Sequence, residues 1–199
     1  MTLRRRMLSA LALVTLAAGI AVHAADAPAA GQYVLDPAKS SLEFSFTQAG
    51  AVNKGKFTRF PVSFTFAPDA PATGRLAVTI EVASLDTGDK ERDDTLRGAD
   101  LFAVAKYPQA QFLATQFAKT ATGFEAIGKL TLRGVTHDAR VPFTFRTASE
   151  AGVSVGYMVG KTTLKRLDYG VGQGDWKATD QVGDEVGVSF ALRLVPAAH

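Results

Sequence analysis

Along residues 42–48 (LEFSFTQ), Leu42, Phe44 and Phe46 alternate with Glu43, Ser45 and Thr47, the two-residue period of a strand with one buried face. The alternation returns at Val62, Phe64 and Phe66, at Leu76, Val78, Ile80 and Val82, over residues 124–133, at Val141, Phe143 and Phe145, over residues 153–164, and from Val186 to Leu194. With segments around Phe57 and Phe112, the pattern predicts eight or more strands beginning near Tyr33, separated by turn-rich pieces such as APDAPATG at 67–74. One stretch departs from it. DKERDDTLRG at 89–98 is charged and lacks β-branched runs, which predicts a short helix capped by Asp89 and stopped by Gly98. A chain of many antiparallel strands either stacks as a sandwich or closes as a barrel, because open edges invite association; the alternation does not choose between them.

The leading residues add a location. Arg4, Arg5 and Arg6 precede the apolar run Leu8–Val22, and Val22-His23-Ala24 offers compact residues at a cleavage point, so residues 1–24 read as a signal peptide cut before Ala25. The run holds 15 residues, short of the about 20 that a membrane-spanning helix needs. Periplasmic export is the expectation. Residues 25–31 (ADAPAAG) have nothing to bury and read as a flexible mature N-terminus, leaving 32–199 as one domain. The full chain carries 22 Lys and Arg against 19 Asp and Glu; without the three leading arginines the charges balance, so nucleic acid is a poor partner. There is no cysteine, which removes thiol chemistry and disulfides and leaves stability to core burial.

Three runs carry a family resemblance: VASLDTGDKERDDTLRGADLFAVAKYPQAQF at 82–112, GKLTLRGVTHDARVPF at 128–143 and RLDYGVGQGDW at 166–176. Together they resemble the YceI-like family of exported lipid-binding proteins, over essentially all of the mature chain. The resemblance implies an all-β fold, an eight-stranded antiparallel lipocalin-like barrel with a short helix after the fourth or fifth strand. It further implies a long apolar tunnel for a polyprenyl or quinone-like isoprenoid, with no catalysis and no cofactor. Where many members carry histidines, this chain has Lys39, Gln48 and Thr95, so proposals resting on those imidazoles do not transfer. The segments FSFTQAG and GQGDW are similar to a periplasmic subgroup, some relatives of which are associated with cytochrome b561-type membrane proteins; such a protein is a candidate partner. The oligomeric state stays open, a dimer included.

As tunnel-lining residues the resemblance favours Phe44, Phe46, Phe57, Phe64, Phe66 and Ile80, together with Phe102, Phe112, Phe143, Phe145, Tyr157 and Arg166. Without it the phenylalanines are ordinary core. Lys39, Arg59, Lys161, Lys165 and Arg166 are candidate rim groups for a lipid head. The charged stretch 89–98 lacks the ladder of a calcium loop; Asp93 with Arg97 and Lys90 with Asp94 are instead i,i+4 pairs on a solvated helix. Arg92 and Asp93 are expected to fasten that helix to the barrel, where it is a candidate lid. After cleavage only His137 and His199 remain, too few for a three-histidine zinc site, and His137 reads as a surface residue in a turn. No G-x-S-x-G elbow is present, and GVGQGDW lacks the strand-to-helix context of a phosphate loop and reads as a rim loop. Trp176 either plugs the base or shapes the mouth. Two other readings stand beside the carrier: an enzyme acting on an isoprenoid through Asp93, Asp138 or Asp168, and a filled barrel that serves as an interaction module for a membrane redox protein.

Overall fold

The computed structural model describes residues 31–197; the stretch expected to be a signal peptide, 1–24, and most of the segment 25–31 lie outside the described residues. Gly31, assigned by sequence to that segment, is already paired with Phe66 in the first strand.

The elements run β1 (Gly31–Leu35), β2 (Ser41–Gln48), β3 (Ala51–Phe57), β4 (Val62–Phe66), β5 (Arg75–Glu81), β6 (Leu85–Asp86), α1 (Lys90–Arg97), β7 (Gln109–Thr120), β8 (Gly123–Leu132), β9 (Val135–Glu150), β10 (Val153–Lys165) and β11 (Val182–Pro196). Every pairing is antiparallel. They form eight staves because three are broken in two. A turn at Pro37–Lys39, capped by Asp36 accepting from the Ala38 N–H, divides β1 from β2; residues 58–61 divide β3 from β4; Val82–Ser84 divides β5 from β6. The final strand β11 pairs with β10 on one side and with β2 and β1 on the other, which closes the ring. The barrel is thus an eight-stranded meander, with its helix directly after β6, the continuation of the fifth strand.

Three hairpins turn on two residues, Ala49-Gly50, Arg133-Gly134 and Ala151-Gly152, each with both members at positive φ. That geometry matches the twist of the flanking strands and fixes their register. One consequence corrects the sequence reading: β9 begins at Val135, so His137 lies in a strand, opposite Leu130, rather than in a turn.

The two ends of the barrel differ. At the end formed by the β7–β8 and β9–β10 turns, Tyr33, Phe64, Phe66, Phe117, Phe124, Phe143 and Phe145 meet in one aromatic cluster. Phe64 stacks on Phe66 at 5.0 Å between ring centres; Phe66 meets Phe124 edge-on at 5.0 Å and Phe145 at 5.3 Å. Phe64 and Phe66 are essentially inaccessible to solvent. The other end is roofed by α1, residues 98–108 and the turns at Arg166–Tyr169 and Gly174–Lys177.

α1 forms where the charge pattern predicts it. Asp89 caps the Arg92 N–H at 3.0 Å, and Lys90 pairs with Asp94 at 2.5 Å. Its attachment differs from expectation: Asp93, which is buried, accepts from the backbone and hydroxyl of Thr87 at 2.9 and 2.7 Å, while Arg97 donates to the carbonyls of Leu85 at 2.7 Å and Ala83 at 3.2 Å. Asp93 and Arg97, not Arg92, fasten the helix, because Arg97 sits in the last turn, one turn nearer the β5–β6 carbonyls.

Candidate lipid cavity

Below the aromatic cluster the barrel is hollow. A cavity of about 530 Å³ occupies its middle, walled by Leu42, Phe44, Phe57, Val78, Ile80 and Phe112 from one side and Leu130, Val141, Leu164, Val188 and Phe190 from the other. A second cavity of about 300 Å³ lies under α1, lined by Phe46, Leu96, Leu101, Val171, Trp176 and Val182. Phe44, Phe102, Leu132, Leu164, Tyr169 and Val186 border both, so the two are adjoining compartments of one apolar lumen. Their size falls in the roughly 300–1,000 Å³ range of small-molecule sites.

The strands supply this lining by parity. Leu42, Phe44 and Phe46 point inward from β2 because Glu43, Ser45 and Thr47 take the solvent face. Of the residues anticipated from sequence, Phe44, Phe46, Phe57, Ile80, Phe102, Phe112 and Arg166 line the lumen. Phe64, Phe66, Phe143 and Phe145 do not; they fill the closed end, where rings from β4 and β9 find partners on β7 and β8. Tyr157 is a further correction. Gly156 and Met158 take the inward positions of β10, so Tyr157 faces out, hydrogen-bonds Glu150 and lies 4.1 Å under the Arg146 guanidinium.

Arg166 is not a rim group either. It is only 5 % exposed, and its guanidinium donates to the carbonyls of Gly183 at 3.0 Å, Val171 at 2.9 Å and Val182 at 2.7 Å. Burial lowers its pKa, opposed by the nearby Asp184 carboxylate. Gly172 makes room for it: a Cβ there would stand 1.9 Å from Nη1, at a φ of +116°. Arg166 thus splices the 166–172 loop to the start of β11, while one side of it faces the smaller cavity. Of the other proposed rim cations, Lys165 borders the larger cavity, Lys161 is exposed beside it, Lys39 lies in the Pro37–Lys39 turn away from the lumen, and Arg59 is paired with Glu81 at 2.5 Å. Trp176 lines the mouth compartment beneath α1 rather than the closed base.

Of the three carboxylates considered for acid–base chemistry, Asp138 and Asp168 border the larger cavity and Asp93 does not. Asp93 is committed to Thr87, and Asp168 is exposed in its turn. Asp138 bonds Lys129 at 2.7 Å, and that cation holds its carboxyl below the usual range, opposite to the shift that poises a general acid near neutrality.

The wall has a seam between β9 and β10. β9 and β10 pair from Glu150↔Val153 down to Phe143↔Gly160 and then part: residues 135–142 pair only with β8, and 161–165 only with β11. Pro142 follows the last pair and brings no N–H to continue the ladder. At the far end His137 bridges the gap, its Nε2 lying 3.1 Å from the Asp168 carbonyl oxygen and its ring edge-on to Tyr169 at 5.1 Å. The larger cavity reaches the surface between these strands, since the outward residues Asp138, Arg140, Thr163 and Lys165 line it alongside the inward Ala139, Val141, Thr162 and Leu164.

A closed eight-stranded meander with an apolar lumen, filled at one end and accessible at the other, defines a barrel of the small-ligand-binding class. Comparison gives its family: a YceI-like domain model matches residues 33–194, and the chain belongs to that family. BcnA of Burkholderia cenocepacia is 34% identical in sequence, with a TM-score of 0.74 over 80% of this chain and 98% of that one. A UPF0312 protein of Yersinia pestis is 38% identical over 127 residues, 62% of this chain and 66% of the relative; the match thus spans just under two thirds of that relative's length. A polyisoprenoid-binding domain from Saccharophagus degradans shares the fold at 20% identity and a TM-score of 0.59, over 83% of this chain and 98% of that domain.

Proposed function

We propose that this protein is an exported binding protein that holds the tail of an isoprenoid lipid, a polyprenyl or quinone-like molecule, inside the barrel for carriage or storage. The observation that carries the reading is the pair of adjoining apolar cavities between Phe112 and the underside of α1. Each CH₂-sized group moved from water into such a wall contributes roughly 0.8 kcal/mol, so even a short tail is held firmly against release into water. A bilayer offers the same contacts, so exchange with membranes turns on the head group and the opening. The S. degradans domain, which shares the fold, supports an isoprenoid as cargo. The arginine-led apolar leader supports export to the periplasm, and the resemblance of FSFTQAG and GQGDW to a periplasmic subgroup supports a cytochrome b561-type membrane protein as donor or acceptor.

The test is extraction of the purified exported protein with organic solvent and mass spectrometry of the extract. An isoprenoid recovered in stoichiometric amount is the expected result. Protein that returns empty from its native compartment, and takes up neither an isoprenoid quinone nor a polyprenyl phosphate from vesicles, overturns the reading.

A further inference from the structure

We propose that the seam between β9 and β10 is the seat of the lipid's polar head, and that this head is rich in hydrogen-bond-accepting oxygens. The inference rests on the lipid-binding reading and assigns the head a place within it.

Two openings compete for that role. The one beneath α1 carries Asp89 and Glu91 against Arg92 and Arg166, with Arg92 drawn to Asp89 at 3.8 Å and the Arg166 donors spent on backbone carbonyls. It therefore offers an oxygen-rich or anionic head no uncommitted cation among its lining residues. The seam is different in kind. Where β9 and β10 separate, each edge leaves backbone N–H and C=O groups without a partner strand, and buried or half-buried groups of that sort require a partner. Thr162 and Thr163 add hydroxyls, Lys165 borders the cavity, and Lys161 flanks it; neither lysine makes an ion pair among the described residues. Of the acidic groups nearby, Asp138 holds Lys129 and Glu125 holds Arg140 at 2.7 Å, while the exposed Asp168 borders the same cavity and offers its backbone carbonyl to His137. Behind this polar slot the wall turns apolar within one residue, at Val141 and Leu164. A head in the slot therefore places its tail directly in the lumen. A quinone's carbonyls and a prenyl phosphate share this acceptor chemistry, and the phosphate alone draws strongly on Lys165.

A chain without cysteine makes the test clean. Thr163→Cys places a single thiol at the seam, and Glu91→Cys one at the opening under α1; both positions are exposed. Each variant is stripped of lipid, reloaded with an isoprenoid quinone or with a polyprenyl phosphate, and its loading is verified by mass spectrometry. The rate of reaction with a water-soluble maleimide is then measured. Loading is expected to slow labelling at Thr163→Cys several-fold and to leave Glu91→Cys unchanged. Protection at Glu91→Cys alone, or at neither site in verifiably loaded protein, overturns the assignment while leaving lipid binding intact. Failure of the wild-type chain to load either probe instead overturns the lipid-binding reading itself. Lys165→Gln separates the two head chemistries: a loss of about tenfold in affinity, roughly 1.4 kcal/mol, for the phosphate but not the quinone marks a charged head, and equal affinities mark a neutral one.

Discussion

Arg166 shows how far the meaning of a residue depends on what surrounds it. A cation near a lipid mouth reads from sequence as a head-group ligand, yet its donors are spent on three backbone carbonyls. Replacing it with methionine strands those acceptors in a dry site, and Arg166→Met is expected to lower stability by roughly 2–4 kcal/mol, seen as a lower urea midpoint. A variant that unfolds at the wild-type midpoint contradicts that role. On the outer wall, Arg193 plays a comparable part: it pairs with Asp36 and lies 2.6 Å from Glu150, tying the β1–β2 break to the end of β9. Hydrogen bonds from Arg193 and then Tyr157 hold the Glu150 carboxyl below its ordinary value of 4.5. The folded state therefore binds that proton less readily than the unfolded one. The stabilisation is complete above about pH 4.5 and is lost as pH falls through the lowered folded value. Glu150→Gln is expected to flatten this part of the stability–pH curve in acid titration followed by circular dichroism; an unchanged slope removes the pair from the account.

At the scale of the element, period-two alternation was enough to locate β2, β4, β5, β8, β10 and β11, and an Asp cap with a glycine stop was enough to locate α1. Alternation could not say which strands surround empty space. Phe44 and Phe46 on β2 have the same local pattern as Phe64 and Phe66 on β4. The second pair is packed solid only because Phe117, Phe124, Phe143 and Phe145 arrive from strands far along the chain. The seam was equally hidden, because a proline inside a sixteen-residue strand becomes meaningful only when the neighbouring ladder is seen to end beside it. The filled end and the hollow middle give opposite predictions. Phe64→Ala opens a void in the filled end and is expected to cost about 3–5 kcal/mol with lipid retention preserved. Val78→Trp projects into the larger cavity. It is expected to leave the thermal midpoint within a few degrees of wild type and to abolish lipid uptake, measured by mass spectrometry after incubation with loaded vesicles.

For the molecule as a whole, ring closure does two things at once. It pairs most of the strand edges, though not those of the seam, and it encloses a lumen that the chain itself leaves partly unfilled. Half of the barrel's length supplies ordinary core, and this lets the other half do without one. No helix among the described residues is long and apolar enough to cross a membrane.

The stack of Phe64 on Phe66 turns the lumen into a blind alley, and a blind alley measures what enters it. A tail that reaches those rings can go no deeper, and any isoprene units beyond that length stay outside in water. Lipids recovered from the protein should accordingly cluster around one number of units, and trimming Phe66 to alanine should shift that distribution toward longer chains; a spread as broad as that of the source membrane would show that nothing is being measured.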